Sequence, residues 1–343
     1  MTATDYRLID STLRDGSHAI SHQYHNEDVI KIVQGLDRAG VQVIEIAHGD
    51  GLGGSSFNYG FSAVPEKELI AKACEVTTNA KIACLLLPGI GLADDLREVN
   101  EMGVQVARIA VHCTEADITE QHIKVAKSLG MEAIGFLMMA HMNTPQGLVE
   151  QALLMQSYGA DTIYIADSAG AMTTEDVKVR VNALVQALDV PLGVHAHNNL
   201  AMAVSNSIAA FQEGAKNLDG TSAGLGAGAG NCPTEILAAV SDKYGISTGV
   251  DPLLLMDLAE EVVRPLMPRQ QVIDRAGLIL GYAGVYGSFL LHAQRAAERY
   301  NVSQAEILLE LGRRQVVGGQ EDMIIDVALE LARKHAEAEV ADV

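Results

Sequence analysis

The sequence contains two histidines one residue apart, His195 and His197, at the end of the apolar run Leu192–Ala196. Alternate side chains of a β-strand point to the same side, so these imidazoles are expected roughly 6–7 Å apart on one face. Two histidines together with a carboxylate suit a divalent metal ion that keeps open coordination positions. The alternative is a pair of hydrogen-bonded polar residues at the end of the strand. We interpret the pair as metal ligands.

The run DSTLRDGSHA, near the start of the chain, supplies further reactive groups. Asp15 is the best candidate for the carboxylate ligand. Arg14 beside it could bind a carboxylate group or stabilise an enolate oxygen, although an ion pair with Glu45 is the alternative. His18 could act as a general acid or base, but a lone loop histidine is more often a surface residue. Nitrogen and oxygen ligands without thiolates favour Mn²⁺, Mg²⁺ or Zn²⁺ and argue against a structural zinc site.

The elements that must position these residues alternate regularly over residues 1–245, as short β-branched runs and amphipathic helical patterns. Helix starts carry N-cap residues such as Thr144 and Thr173, and helix ends carry glycines such as Gly40. Eight such repeats in this length predict an α/β fold, a (β/α)8 TIM barrel rather than an open doubly wound sheet. The predicted strands span residues 7–13, 41–47, 82–87, 104–111, 133–139, 162–166, 192–196 and 217–223.

Active sites of such barrels lie at the C-terminal ends of the strands. The reactive residues above follow the first and seventh predicted strands, which are near neighbours in a closed ring of eight. Asp15 is therefore expected beside the two histidines. None of the lysines follows a predicted strand, so the sequence offers no candidate for a Schiff-base nucleophile.

The remaining part of the chain carries helical patterns without further strands of comparable strength. We therefore predict a catalytic barrel over residues 1–248 and a helical C-terminal domain over residues 249–343. The apolar stripes of these helices need the barrel, a second subunit or another protein to cover them. Tyr282 and Tyr286 are four residues apart and would share one helix face, for which packing is the simple interpretation.

Composition excludes several classes of protein. Among 343 residues, 24 Lys and Arg face 44 Asp and Glu, which gives a net charge of −20. Such a chain is a poor ligand for nucleic acid or an anionic membrane, and 48 % hydrophobic residues exclude disorder. The four cysteines form no CxxC pair. Without a leader-like start or an apolar run of about 18 residues, we expect a soluble cytoplasmic protein.

Longer motifs carry a resemblance to a known family. DSTLRDGSHA together with VHAHNN resembles the metal-dependent lyases and synthases that share a (β/α)8 barrel, such as 3-hydroxy-3-methylglutaryl-CoA lyase and isopropylmalate synthase. Within that group the chain is similar to the 4-hydroxy-2-oxovalerate aldolases over residues 6–333. The motifs that carry this closer resemblance are AHGDGLGGSSFNYGF, LLLPGIG, HCTEAD, GFLMMAHM, GLGAGAGN, LGYAGVYGSF and VGGQEDMI.

The resemblance implies roles for individual residues. Asp15, His195 and His197 would hold Mn²⁺, for which Mg²⁺ or Co²⁺ could substitute, Arg14 would stabilise a pyruvate enolate, and His18 would be the catalytic base. The substrate would be 4-hydroxy-2-oxopentanoate, and also 4-hydroxy-2-oxohexanoate, cleaved to pyruvate and a short aldehyde in the meta-cleavage catabolism of aromatic compounds or steroids. The residues implied to contact the substrate, besides Arg14 and His195, are Ser168, Tyr286, Leu85 and Leu87.

The resemblance also implies a partner, an acylating acetaldehyde dehydrogenase that receives the aldehyde by channelling within a heterotetramer. The C-terminal helices would then shape the pocket and the partner contacts. Two other functions stay open from the residues alone. An acyl-CoA lyase or Claisen-type synthase would use the same metal ligands but needs a basic groove for the CoA phosphates, and no basic run is evident. The second open function is that of a non-catalytic scaffold whose metal ion only stabilises the fold.

Overall fold

The computed structural model describes the backbone of residues 4–341 and the side chains of residues 4–338. Its centre is a closed barrel of parallel strands in sequence order, in which the first strand pairs with both the second and the eighth. The predicted (β/α)8 barrel with helices after it is confirmed. The strands are β1 (Arg7–Leu13), β2 (Val43–Ile46), β3 (Lys81–Leu86), β4 (Val106–His112), β5 (Glu132–Met138), β6 (Thr162–Asp167), β7 (Leu192–Ala196) and β8 (Asn217–Gly220).

Helices follow the strands around the outside of the barrel and then continue without strands. Side-chain caps fix several starts: the hydroxyl of Thr144 accepts from the N–H of Gly147, and that of Thr173 from the N–H of Asp176. Gly40 ends α1 at φ 90°. Among the helices of residues 4–341, none is long and apolar enough to cross a membrane. The helices are α1 (Asn26–Ala39), α2 (Glu66–Val76), α3 (Ala93–Glu101), α4 (Glu120–Ser128), α5 (Pro145–Ser157), α6 (Thr174–Ala187), α7 (Ala203–Gln212), α8 (Thr234–Lys243), α9 (Pro252–Leu258), α10 (Arg275–Ala283), α11 (Phe289–Tyr300), α12 (Gln304–Arg313) and α13 (Met323–Ala341).

Strand β8 is shorter than predicted and ends at Gly220. Beyond that point the backbone pairs with the segment before α8 instead of with β1, because the N–H of Thr221 donates to the carbonyl of Cys232 at 2.9 Å. The next residues form a short turn in which Ala223 takes φ 57°. The predicted extension to residue 223 was therefore wrong, and the chain turns toward the barrel mouth earlier than its apolar character indicates.

The barrel interior holds both apolar and charged side chains. The apolar ones include Ile9, Val43, Val106 and Ile134, all fully buried. Glu45, Arg108 and Asp219 are also fully or almost fully buried. Buried charges are stable only when they are paired, so these three side chains must be held by contacts with one another and with other charged groups.

The C-terminal helices divide between two apolar cores. Leu255 and Leu258 of α9 belong to the core of the barrel, whereas α10 to α13 form a separate core around Phe289 and Leu308. The predicted boundary between a barrel domain ending at residue 248 and a helical domain beginning at residue 249 stays a prediction. Helix α10 lies directly on the barrel, since a Cβ at Gly281 would stand 3.0 Å from the carbonyl oxygen of Gly170.

Candidate metal centre and active-site pocket

A cavity of about 530 Å³ opens at the carboxyl ends of the barrel strands. It is of the size that binds small organic molecules. Every residue predicted as a metal ligand, a catalytic residue or a substrate contact lines it, and the set comprises Arg14, Asp15, His18, Leu85, Leu87, Ser168, His195, His197 and Tyr286. The structure therefore brings all of the predicted site residues together.

Asp15, His195 and His197 converge at the floor of this cavity, and all three are buried. The two histidine Nε2 atoms are 3.3 Å apart. Oδ2 of Asp15 lies 3.4 Å from Nε2 of His195 and 3.7 Å from Nε2 of His197. Ligand atoms that share an ion at bond lengths of about 2.0–2.2 Å stand roughly 3.0–3.6 Å apart, so the three residues fit a divalent cation.

Two further features of the centre support this fit. Oδ1 of Asp15 is buried and has no hydrogen-bond partner among the described residues, which is costly unless a cation or another donor reaches it. Burial opposes the ionisation of Asp15, but the guanidinium of Arg14 and the imidazole of His197 outweigh it and hold the pKa of that carboxyl well below its usual value. Burial lowers the pKa of His197 to about 4, so at neutral pH this imidazole is in the uncharged form that ligates metals.

Asp219 orients one of the predicted ligands, and the sequence analysis missed it. Its Oδ2 lies 2.8 Å from Nδ1 of His195. A carboxylate can only accept, so Nδ1 carries a proton and Nε2, which faces the centre, is the atom available to bind a metal. Burial raises the pKa of Asp219, but the guanidinium of Arg108 and the imidazole of His195 outweigh it, and the net pKa is below its usual value. Asp219 lies in the short strand β8, where nothing in the local pattern distinguishes it from an ordinary polar residue.

Asn231 is a second residue that the sequence analysis missed. It is buried, and its side-chain Oδ1 has no partner among the described residues. A Cβ at Gly226 would stand 2.3 Å from Nδ2 of Asn231 and 3.2 Å from Oδ1 of Asp15, which places the amide near a predicted metal ligand. Asn231 could therefore supply a further oxygen. It ends the glycine-rich run GLGAGAGN, whose glycines allow this close approach.

Arg14 makes the ion pair that the sequence left as an alternative to a functional role, and it also lines the cavity. Its Nε donates to Oε2 of Glu45 at 3.0 Å, and its Nη1 donates to Oδ2 of Asp15 at 2.8 Å. The guanidinium is almost fully buried and tied on two edges. It is thus a fixed cation beside the candidate metal centre, as electrostatic stabilisation of a developing anion requires.

His18 lies on a short 3-10 helix, Asp15–Ile20, and is half-buried rather than an exposed loop residue. Its ring meets that of His22 edge to face, with centroids 5.1 Å apart, and His22 stacks on His48 with centroids 3.7 Å apart. Burial lowers the pKa of His22 to about 3, so this imidazole is uncharged. Gly49 lets the ring of His18 lie against the backbone, since a Cβ there would be 2.6 Å from Nε2 of His18.

Tyr286 reaches the cavity from the C-terminal helices. Helix α10 ends at Ala283, because Gly284 takes φ 66°, and Tyr286 lies beyond that end. Tyr282 is 72 % exposed. The expectation that the two tyrosines share a helix face was therefore wrong. Nε2 of His141, after β5, lies 3.0 Å from the carbonyl oxygen of Gly284 and helps to fix this turn over the barrel.

Ser168 and the two leucines complete the pocket walls. The hydroxyl of Ser168 accepts from the N–H of Met139 at 3.1 Å and so supports a residue whose φ is 54°. Leu85 belongs to β3, and Leu87 follows that strand directly. With Phe136 they give one side of the cavity an apolar surface.

The fold and this pocket define a (β/α)8-barrel enzyme, and a family model described as HMGL-like matches residues 5–262. A second, described as a DmpG-like communication domain, matches residues 271–333. A 4-hydroxy-2-oxovalerate aldolase from Carboxydothermus hydrogenoformans is 60 % identical over 96 % of this chain and 98 % of its own length. That from Moorella thermoacetica is 58 % identical over 97 % and 99 %. The chain belongs to the 4-hydroxy-2-oxovalerate aldolase family, a family of carbon–carbon lyases.

A solved structure shows how widely this fold is shared. The carboxyl transferase domain from Rhizobium etli pyruvate carboxylase superposes with a TM-score of 0.80, covering 97 % of this chain and 61 % of that one. The two sequences are only 14 % identical. The likeness therefore concerns the barrel and says nothing of the reaction.

Proposed function

We propose that this chain cleaves 4-hydroxy-2-oxopentanoate, and its homologue 4-hydroxy-2-oxohexanoate, to pyruvate and a short aldehyde by a metal-dependent retro-aldol reaction. The observation that carries the proposal is the convergence of Asp15, His195 and His197 on one point, with the Arg14 guanidinium 2.8 Å from the Asp15 carboxylate. The names of relatives that match nearly the whole chain support the same substrate.

Asp15, His195 and His197 would hold Mn²⁺, with Mg²⁺ or Co²⁺ as possible substitutes. When bound, the ion supplies Lewis-acid polarisation of the 2-oxo group of the substrate. Arg14 lies at the edge of the same centre, where it neutralises the negative charge that develops on the enolate oxygen of pyruvate. Because Glu45 and Asp15 already fix its guanidinium, it needs little reorganisation as that charge appears.

His18 takes the proton from the C4 hydroxyl of the substrate. The C4–O bond becomes the carbonyl of the aldehyde as the C3–C4 bond breaks. The electron pair of that bond forms the C2=C3 double bond of the enolate and shifts the carbonyl pair onto the C2 oxygen, and the aldehyde leaves with C4. The protonated imidazole can return its proton to C3 of the enolate, which completes pyruvate and restores the base. The position of His18 on the wall of the cavity, within the turn that begins at Asp15, supports this role.

The remaining pocket residues select the substrate. Leu85 and Leu87 offer an apolar surface to the alkyl end that becomes the aldehyde. Tyr286 also lines the cavity and would help to fix the configuration at C4, and Ser168 would contact the keto acid. A cavity of about 530 Å³ leaves room for a substrate one carbon longer than the pentanoate.

We further propose that an acylating acetaldehyde dehydrogenase binds this chain in a heterotetramer and receives the aldehyde by channelling. The match of residues 271–333 to a DmpG-like communication domain supports a partner on the C-terminal helices. These helices also deliver Tyr286 to the cavity, so a contact on them lies close to the departing aldehyde. The proposed setting is meta-cleavage catabolism in the cytoplasm, and co-purification after co-expression with the dehydrogenase tests the complex.

The activity is tested by pyruvate release from 4-hydroxy-2-oxopentanoate before chelation, after chelation and after Mn²⁺ is added back. We expect activity to be lost with the chelator and restored by Mn²⁺. His195→Asn and His197→Asn should bind Mn²⁺ weakly and release little pyruvate. His122→Asn is the matched control, because His122 lies on α4, outside the cavity. Absence of pyruvate with every divalent metal tried would refute the proposed reaction.

A further inference from the structure

Arg108 of β4 lies in the centre of the barrel and is fully buried. The central carbon of its guanidinium lies 4.7 Å from the ring centroid of Phe136 and 4.6 Å from that of Tyr164. Nη2 donates to Oδ2 of Asp219 at 2.6 Å, and Nη1 lies 3.0 Å from Oε2 of Glu45. One cation is thus shared by two buried carboxylates, and it also contacts two aromatic rings.

Each of these carboxylates holds a different part of the candidate active site. Glu45 accepts from Nε of Arg14 at 3.0 Å. Asp219 accepts from Nδ1 of His195 at 2.8 Å. Arg108 therefore lies midway in a continuous buried chain of contacts between the cation beside the metal centre and one of the metal ligands. It does not itself line the cavity.

We propose that Arg108 is the positioning residue of this active site: it fixes the carboxylate that orients His195 and the carboxylate that orients Arg14. The inference rests on the proposed function, in which those two side chains bind the metal and stabilise the enolate. A guanidinium suits the task because its rigid plane donates to Asp219 while a second nitrogen stays 3.0 Å from Glu45, whereas a lysine ammonium is a point charge on a flexible stem. Without Arg108, two buried carboxylates would repel one another and turn away from their partners.

A merely structural role for Arg108, in which it only neutralises buried charge, makes a different prediction. Its loss would then lower stability without a selective effect on metal binding or turnover. A positioning role predicts that Arg108→Lys, which keeps the charge, weakens Mn²⁺ binding by about 10–100-fold, the range seen when the outer partner of a metal ligand is lost. The same variant should lower kcat at saturating Mn²⁺, because Arg14 also loses its orientation.

The test measures the Mn²⁺ dissociation constant by electron paramagnetic resonance on the metal-free full-length protein, and kcat and KM by pyruvate release at saturating Mn²⁺. Asp219→Asn should weaken Mn²⁺ binding, and Glu45→Gln should lower kcat with Mn²⁺ binding unchanged. Only Arg108→Lys is expected to change both the Mn²⁺ dissociation constant and kcat. Arg7→Lys is the matched control, because Arg7 pairs with Glu132 at 2.7 Å at the start of β1 and does not line the cavity.

The inference would be overturned if Arg108→Lys kept both its Mn²⁺ affinity and its kcat within twofold of the values of the unchanged protein. A change in only one of these two quantities would also overturn it. If Arg108→Lys does not fold, the pair Glu45→Gln and Asp219→Asn decides. Glu45→Gln alone leaves the Mn²⁺ affinity unchanged, but with Arg108 as the link it should change that affinity when it is added to Asp219→Asn, because Arg108 then loses both of its carboxylate partners. A double variant with the same Mn²⁺ affinity as Asp219→Asn would refute the link. Failure of the unchanged protein to release pyruvate is a separate result that overturns the proposed function, and the Mn²⁺ affinities still test the positioning of His195.

Discussion

Gly49→Ala tests the position of His18 with a single added carbon. The structure places the new Cβ 2.6 Å from both Nε2 and Cε1 of His18 and 2.8 Å from Cε1 of His22. Uncrowded carbon contacts begin near about 3.5 Å, so the His18 ring must move by about 1 Å. The φ of Gly49 lies outside the left-handed region, so the backbone accepts alanine without strain and the effect is confined to the neighbouring rings.

A displacement of this size at a reacting group costs about 10²-fold in rate, which corresponds to about 2.7 kcal/mol of activation free energy. We expect kcat for pyruvate release to fall by that factor, with Mn²⁺ affinity unchanged because the metal ligands do not touch the new methyl group. Gly287→Ala is the matched control, since its Cβ meets nothing closer than Ala227 at 3.9 Å on the same cavity. If Gly49→Ala turned over substrate as fast as the control variant, either His18 would not be the base or its ring would not lie where the structure places it.

Two further predictions concern single charged residues. Arg14→Ala should lower kcat by about 10²–10³-fold, the effect of removing one donor from a developing oxyanion; near-normal pyruvate release would remove Arg14 from the mechanism. Asp37→Asn should lower the free energy of unfolding by about 1.5–3 kcal/mol at pH 7, measured in urea, because the carboxylate accepts from the N–H groups of Thr78, Asn79 and Ala80. Burial opposes the ionisation of Asp37, but the hydrogen bond from the Thr78 hydroxyl, together with those from the N–H groups, outweighs it and lowers the pKa. A carboxyl with a lowered folded pKa stabilises the protein above its unfolded pKa, and this contribution disappears as pH falls through the folded pKa. The unchanged protein should therefore lose stability below about pH 4 more steeply than Asp37→Asn, and parallel pH profiles would contradict the assignment.

The sequence predicted the barrel because each of its signals is local. A β-branched run, a capping threonine such as Thr173 and a glycine such as Gly40 each report on a few neighbouring residues, and the repeat of these signals specifies the fold. The proposed metal ligands were predicted for the same reason. His195 lies in β7 and His197 directly follows that strand, and the ring closure that brings Asp15 to them follows from counting strands.

The supporting residues could not be predicted in this way. Arg108 and Asp219 are separated by 111 positions and meet only because the barrel closes and its register brings them together. The local pattern around each is that of an ordinary polar residue in a strand. The expectation that Tyr282 and Tyr286 share a helix face was wrong for a related reason, since helical periodicity was extended past Ala283, where the backbone turns at Gly284.

The buried charges around the centre also favour the proposed divalent ion and an anionic substrate. When His195 and His197 are in the uncharged form that binds metals, the carboxylates of Asp15, Glu45 and Asp219 face only the guanidiniums of Arg14 and Arg108, which leaves one negative charge in a region of low dielectric. A divalent cation turns this into one positive charge, and the carboxylate of a 2-oxo acid then neutralises the site. The second negative charge, which develops on the enolate, arises as the nearby His18 gains its proton. The arrangement thus keeps the buried charge close to zero at each stage, and an uncharged ketone or an amine substrate would leave it unbalanced.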